Sequence, residues 1–326
     1  MKNKKLLTLG IALMMLPMLF LSVTVTGAKA ATEKPIIVCT TSAIGNIVEE
    51  CLGDTADVVV LVQPGLCPAD FDMKPSDVYA VSNARILFKQ NIPGEFWLDG
   101  LLEAAGNPNL TVVAIPGAYN TPEGAKNYIR GVGRNLSQIL DINLDSKISE
   151  MLADVDDVSG WMASQAETLH ASTVKVICMS WLQTFIESVG FNVVATYNPP
   201  ETLSAGDITD LLETARSEGV ALVVDNLQID VEFGEGIASQ VGAEHVVLTN
   251  FPGAIPDTET LSQMFRYNAE QLFNGTVTWQ STSTLRAERD DLHNQVAIFQ
   301  ITASLAVVVA AVEAVLLYAK RKKKSM

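Results

Sequence analysis

Residues 58–77 read Val58-Val59-Val60-Leu61-Val62-Gln63-Pro64-Gly65-Leu66-Cys67-Pro68-Ala69-Asp70-Phe71-Asp72-Met73-Lys74-Pro75-Ser76-Asp77. The apolar run Val58 to Val62, rich in β-branched residues and bounded by a turn, has the length and composition of a buried strand. Pro64-Gly65 turns the chain out of it. Pro75, then Ser76 and Asp77, opens a helix, because proline suits the first turn and an acid there complements the dipole. Strand, loop and helix in this order form the unit of an α/β sheet. Such sheets hold ligands in the loops outside the carboxyl ends of their strands.

The alternation continues on both sides of this stretch. Pro35 to Thr41 carries the apolar strand Ile36-Ile37-Val38, and Ser42 stands where it can cap a helix with Ile44, Ile47, Val48 and Cys51 at helical spacing. A helix from Ser76, a strand at 86–88, a helix over 96–105 and a strand at 110–115 follow. Thr121-Pro122 marks the start of the next helix. Helices over 122–140 and 145–170 come next, the second with Ile148, Met151, Leu152, Val155, Val158 and Met162 as a buried stripe and Gly160 weakening its middle. Strands at 174–178, 192–197, 220–224 and 245–248 then alternate with helices, and the last helix spans 258–273. The expected class is α/β: two lobes, each a largely parallel sheet flanked by helices, joined by a long linking helix.

Both ends are apolar. Lys2, Lys4 and Lys5 precede the run Leu6 to Val25 and then Ala28-Lys29-Ala30, the pattern of an export signal cut after Ala30. Val296 to Ala319 is almost wholly apolar, long enough to span a bilayer, and Lys320-Arg321-Lys322-Lys323-Lys324 should remain cytoplasmic. Glu313, near the basic end of that segment, can snorkel to the interface or pair with a tail lysine. The expected organisation is a signal peptide (1–30), N-terminal lobe (31–142), linking helix (143–172), C-terminal lobe (173–275), polar stalk (276–295), transmembrane anchor (296–319) and basic tail (320–326). The body would sit outside the cell, tethered by its C-terminus.

The formal net charge is −15. Nine of the 22 basic residues lie in the two ends, with only Glu313 of the 37 acids, which leaves 13 against 36 in the body. So acidic a surface repels nucleic acid. Asn109-Leu-Thr, Asn135-Leu-Ser and Asn274-Gly-Thr are glycosylation acceptor patterns on an exported chain. The four cysteines, Cys39, Cys51, Cys67 and Cys178, allow three full pairings. Cys39 in a strand and Cys51 on a helix read as small buried hydrophobes, while Cys67 and Cys178 fall at strand-end loops.

Residues 64–77 resemble a loop of the metal-type solute-binding proteins of ABC importers, the zinc and manganese receptors. That loop reads roughly P-G-x-D-P-H-x-[FY]-E-P-[TS]-P-S-D. Pro64, Gly65, Pro68, Phe71, Asp72, Pro75, Ser76 and Asp77 keep its frame, while Ala69 replaces its metal-binding histidine and Cys67 its aspartate. Phe96-Trp97-Leu98-Asp99 is similar to the family's W-L-D helix, and Ser204-Ala205-Gly206-Asp207-Ile208 before Gly219-Val220 to its second-lobe helix and strand. The resemblance covers about Ile36 to Asn274. It implies a linking helix that limits the lobes to small rocking. It implies further ligand positions at Gly117, with Tyr119 in place of a tryptophan, at Met179 within Cys178-Met179-Ser180-Trp181, and at Asp225 or near Thr249-Asn250. No family histidine remains.

A cleft lined by Cys67, Ala69, Tyr119, Met179 or Cys178, Trp181, Asp225 and Asn250 leaves several chemistries open. Cys67, Met179 and Asp225 are the candidate metal ligands, and a soft set of Cys67, Cys178 and Met179 would favour Cu(I). Tyr119 and Trp181 with one acid and one amide suit a small organic solute or a metal chelate. Alternatively Cys67 and Cys178 only pack or pair, and Trp181 is core. The three histidines, His170, His245 and His293, sit outside the proposed pocket loops, and no nucleophile elbow, zinc-protease motif or phosphate loop is present. An enzyme is therefore not expected, and no cofactor is implied beyond a transition metal as transported ligand. The expected function is an extracellular, membrane-anchored receptor that delivers a metal ion or metal-containing solute to an ABC permease and its ATPase. The alternatives are a surface adhesin or a receptor for a small organic solute on the same fold.

Overall fold

Strand β1 (Ile36–Cys39) pairs in parallel with β2 (Asp57–Val60) on one side and β3 (Ile86–Lys89) on the other, and β4 (Thr111–Ala114) pairs outside β3. The connections run through α1 (Ser42–Leu52), α2 (Pro75–Asn83) and α3 (Leu98–Ala105). The second sheet repeats the plan with β5 (Lys175–Met179), β6 (Asn192–Tyr197), β7 (Leu222–Asn226) and β8 (Glu244–Leu248), linked by α6 (Gln183–Val189), α7 (Ala205–Glu218) and α8 (Glu232–Val241). The strand orders are β2-β1-β3-β4 and β6-β5-β7-β8, all parallel. The expected α/β class with two parallel lobes is therefore what the chain forms. This computed structural model describes residues 34–324, except for the side chains of 286, 287, 290, 309–312 and 314–324. The expected signal peptide (1–30) lies outside the described residues.

Between the lobes run α4 (Pro122–Leu140) and the long α5 (Asp145–Thr168). Thr121 caps α4 as its sequence predicts, accepting from the Gly124 amide at 3.1 Å with Pro122 next in line. Helix α5 buries Met151, Val155, Val158 and Met162, with Ile148 and Leu152 packed beside them. Burial of each such side chain stabilises by roughly 1.5–3 kcal/mol. Gly160 meets no neighbour and does not interrupt the helix. One apolar core runs from α1 and α4 through α5 into the second sheet, and a smaller one, built on Val38, Leu87 and Leu101, covers the other face of the first sheet. Lys126 bonds Asp156 at 2.8 Å and ties the two helices at the surface.

Local sequence explains the other helix starts. The Lys74 amide donates to Asp77 at 2.8 Å, so the acid three residues into the turn holds the start of α2. Ser204 and Asp207 do the same reciprocally for α7, at 2.8 and 3.2 Å. Ser42 differs from expectation. It is the first residue of α1, after Thr41, and its hydroxyl is used elsewhere.

The last helix also differs. Expected over 258–273, it begins at Leu261 and continues to Lys324 as α9, through the segment read as a stalk. Its first turns pack against α5 and β8, burying Leu261, Met264, Phe265, Ala269, Leu272 and Phe273. Beyond these, its described side chains are mostly exposed. No proline stops it, and Gly275, just past Phe273, stays helical where a Cβ would stand 2.6 Å from the Val246 side chain, so the glycine serves close packing on β8 and not a cap. Among the described residues no helix is long and apolar enough to cross a membrane. The expected anchor (296–319) falls in part on side chains outside that description.

Candidate functional site

In each lobe the chain reverses its direction of winding between the first and third strands, β1 with β3 and β5 with β7. That reversal opens a crevice at the carboxyl ends of those strands. The loops from both lobes meet there around a cavity of about 610 Å³. The first lobe gives Cys67 to Asp70 after β2, Gln90 and Ile92 to Gly94 after β3, and Gly117 to Asn120 after β4. The second gives Trp181 after β5, Pro199 and Glu201 after β6, Asn226, Gln228 and Ile229 at β7, and Asn250 and Phe251 after β8.

These walls are held by buried polar groups. Glu95, nearly inaccessible, accepts from the Gln90 amide at 3.0 Å, the Asn91 amide at 2.6 Å and the Thr40 hydroxyl. One carboxylate thus folds the 90–94 wall around itself, and Asn91 takes a left-handed backbone (φ 61°) to make the bend. Trp97 donates to the Pro68 carbonyl at 2.8 Å, fixing the loop that presents Cys67 and Ala69. Gly94 lies close under that loop, where a Cβ would stand 3.2 Å from the Ala69 nitrogen.

The lobes are also tied to each other. Tyr119 donates to the Asn250 carbonyl at 2.7 Å, Ser42 to the Pro252 carbonyl at 2.8 Å and Gln228 to the Pro64 carbonyl at 2.8 Å. The Asn120 amide reaches the Trp181 carbonyl and the Thr184 hydroxyl, both at 3.0 Å. Tyr119 stacks on Phe251, with centroids 6.4 Å apart. Burial pushes its phenol well above the ordinary range, so it remains a donor.

Of the residues expected from sequence, Cys67, Ala69, Tyr119, Trp181 and Asn250 lie on the cleft wall. Gly117, counted as a ligand position, is there too. Met179 and Asp225 are not among the lining residues, and both are fully buried. Asp225 accepts from the Tyr197 hydroxyl and bonds His245 Nε2 at 2.8 Å on the far side of β7. Helix α8 crosses so closely that a Cβ on Gly234 would stand 2.0 Å from the Asp225 carboxylate. Successive strand residues face opposite ways. The residue of β7 that reaches the cleft is accordingly the next one, Asn226. Of the three expected metal ligands, Cys67 alone is among the residues that line the cleft, and Cys178 is buried in β5. All four cysteines are free, which removes the disulfide alternatives.

Sequence reasoning missed Gln90, Asn226 and Gln228. A signal existed for each: Asn226 ends β7, and Gln90 and Gln228 follow β3 and β7, strands that flank the winding reversals. Among the described residues no three His, Cys, Asp or Glu side chains are grouped to hold a metal ion. Among the described residues, the charged side chains on the wall are Asp70 and Glu201, one from each lobe, and none that lines it is cationic.

Two parallel α/β lobes joined by a long helix, with a cleft walled by loops from both, give the architecture of a two-lobed solute receptor. The chain belongs to the family described as "Zinc-uptake complex component A periplasmic", whose model matches residues 37–275. It is a solute-binding protein of the ABC importer class. A curated relative, "Manganese-binding lipoprotein MntA" of Halalkalibacterium halodurans, is 21% identical over 275 residues, covering 77% of this chain and 91% of that protein. Similar solved structures include a Mn-bound periplasmic metal-binding protein from Candidatus Liberibacter asiaticus, with TM-score 0.65, 14% identity, and 74% and 100% of the two chains covered. Another is ZnuA, with TM-score 0.62, 19% identity, and 75% and 100% covered. At these identities the structural likeness speaks for the fold.

Proposed function

We propose that the chain is an exported, membrane-anchored receptor that captures a solute in the inter-lobe cleft and hands it to the permease and ATPase of an ABC importer. The solute is larger than a bare metal ion, and any metal enters as part of a chelate. The observation that carries this reading is a cavity of about 610 Å³ walled by loops of both lobes, with no group of three His, Cys, Asp or Glu side chains placed to hold a metal ion among the described residues. Zinc needs about four N, S or O ligands at bonding distance, and the wall presents Cys67 without a partner set. The volume lies within the roughly 300–1,000 Å³ typical of small-molecule sites. Residues 1–30 serve as the export signal, 296–319 as the anchor, and 320–326 as a cytoplasmic tail, which leaves the body at the cell surface.

Native mass spectrometry with elemental analysis tests this on the full chain, purified in mild detergent under reducing, oxygen-free conditions. A co-purifying organic mass, with or without a metal, is the expected result. One stoichiometric bare ion, lost in Cys67→Ala, would overturn the solute class and leave a metal receptor. A cleft that carries nothing and takes up nothing would leave an adhesin on a receptor fold.

A further inference from the structure

Asn226 sits at the carboxyl end of β7, beside the winding reversal of the second lobe, and is 1% exposed. Its side-chain oxygen accepts from the Gln228 backbone amide at 3.1 Å. Only an acceptor can face an N–H group, so this bond fixes the orientation of the carboxamide. The other end, Nδ2, is buried and has no hydrogen-bond partner, and Asn226 is one of the residues that line the cleft. A buried donor left unpaired costs about 1–3 kcal/mol. A ligand acceptor placed against Nδ2 removes that cost, whereas a bare cation placed there would meet the positive end of the amide dipole.

Two further features narrow the ligand. The charged side chains of the wall are both acidic, Asp70 and Glu201, and they come from opposite lobes. An anion in this cleft meets repulsion from both sides and no compensating cation. Much of the remaining wall is apolar, including Ile92, Ala118, Trp181 and Phe251. Such a wall favours a solute with an apolar body and few polar groups.

Resting on the receptor reading above, we infer that the cleft selects a neutral or cationic organic solute with an apolar body, whose hydrogen-bond acceptor is read by Asn226 Nδ2. Asn226 is the specificity-determining residue of the site. Gln228 positions it, because the same Gln228 side chain is pinned by Pro64, Thr249 and Asn250, at 2.8, 2.9 and 3.2 Å.

The test uses the full chain in mild detergent with matched probes: the carboxamide, carboxylate and methylammonium forms of benzene, cyclohexane and indole. Saturation-transfer NMR and tryptophan fluorescence read binding. At least one carboxamide should bind, and its carboxylate counterpart should bind at least about tenfold more weakly. Asn226→Asp keeps the acceptor for Gln228 and removes the donor. It should weaken the bound carboxamide by about tenfold, the loss of one hydrogen bond worth roughly 1.4 kcal/mol, and should not weaken the ammonium form. A thermal melt of the variant confirms that it is folded. Equal binding of carboxamide and carboxylate, or an unchanged carboxamide affinity in a folded Asn226→Asp, would overturn the inference. If native mass spectrometry then still finds a co-purified solute, the receptor reading survives alone. If no probe binds and nothing co-purifies, both fall.

Discussion

The hydroxyl of Tyr119 in the first lobe donates to the main-chain carbonyl of Asn250 in the second, at 2.7 Å across the inter-lobe cleft. With the Ser42–Pro252 and Gln228–Pro64 links, it ties the lobes through loops that also wall the cavity. The lobes share an apolar core through α5 as well. Opening the cleft widely would break these bonds and expose that core, so the geometry favours small adjustments of the loops over hinge closure.

Removing that hydroxyl should therefore loosen the lobes without disturbing the core. Tyr119→Phe keeps the ring against Phe251 and Tyr128 and leaves the Asn250 carbonyl unpaired. The expected cost is about 1 kcal/mol, seen in urea unfolding as a lower midpoint. Hydrogen exchange in residues 250–253 should rise while that of β5 and β7 stays protected.

Asp225 should matter to stability and not to the ligand. Its carboxylate is wholly buried between Tyr197 and His245. Asp225→Ala strands both partners, and breaking a buried pair of this kind costs about 3–5 kcal/mol. Ligand stoichiometry in the protein that remains folded should be unchanged. A lost ligand with unchanged stability would restore Asp225 to the binding set.

Gly234→Ala tests the same contact from the helix. Its Cβ would collide with the Asp225 carboxylate at 2.0 Å. Overpacking costs about 1–3 kcal/mol, against a helix-propensity gain of about 1 kcal/mol. A net fall in melting temperature is expected. Gly236→Ala, two residues on with nothing near its Cβ, should be neutral or stabilising.

Cys67 should be the one thiol that reacts quickly with a maleimide at neutral pH. Burial pushes the Cys178 thiol up to about 12 and the Cys51 thiol up to about 11, and raises Cys39 further. Intact-mass analysis should show a single fast addition, absent from Cys67→Ser and slowed by a bound solute.

Stability should hold from neutral pH to about 8.5 and fall above it. Tyr119, Tyr128 and Tyr197, and the buried thiols, all have folded pKa values above their unfolded ones, chiefly through burial. A raised pKa gives stability that is complete below the unfolded value, about 8.5 for Cys and 10 for Tyr, and is lost as pH climbs toward the folded one. Urea midpoints measured from pH 7 to 11 give the curve directly. A midpoint that rises across that range would contradict the burial of these groups.

The sequence by itself determined the two parallel α/β lobes, the long helix between them and several of the loops that wall the cleft. Apolar runs, proline-led helix starts and strand-end turns are local signals, and each is written in a few adjacent residues such as Thr121-Pro122. The loop frame from Pro64 to Asp77 carried the family as well, and with it the position of the cleft. Only the tertiary structure decided which side chains enter that cleft. Asp225 and Asn226 are neighbours in an apolar strand buried on both faces, so no hydrophobic alternation marks the phase. The answer depends on which face α8 covers, a contact made by Gly234 nine residues away. Ser42 reads as a cap and serves as a lobe tie for the same reason. Its partner, Pro252, lies 210 residues further on, and no local pattern encodes a hydrogen bond made across that distance.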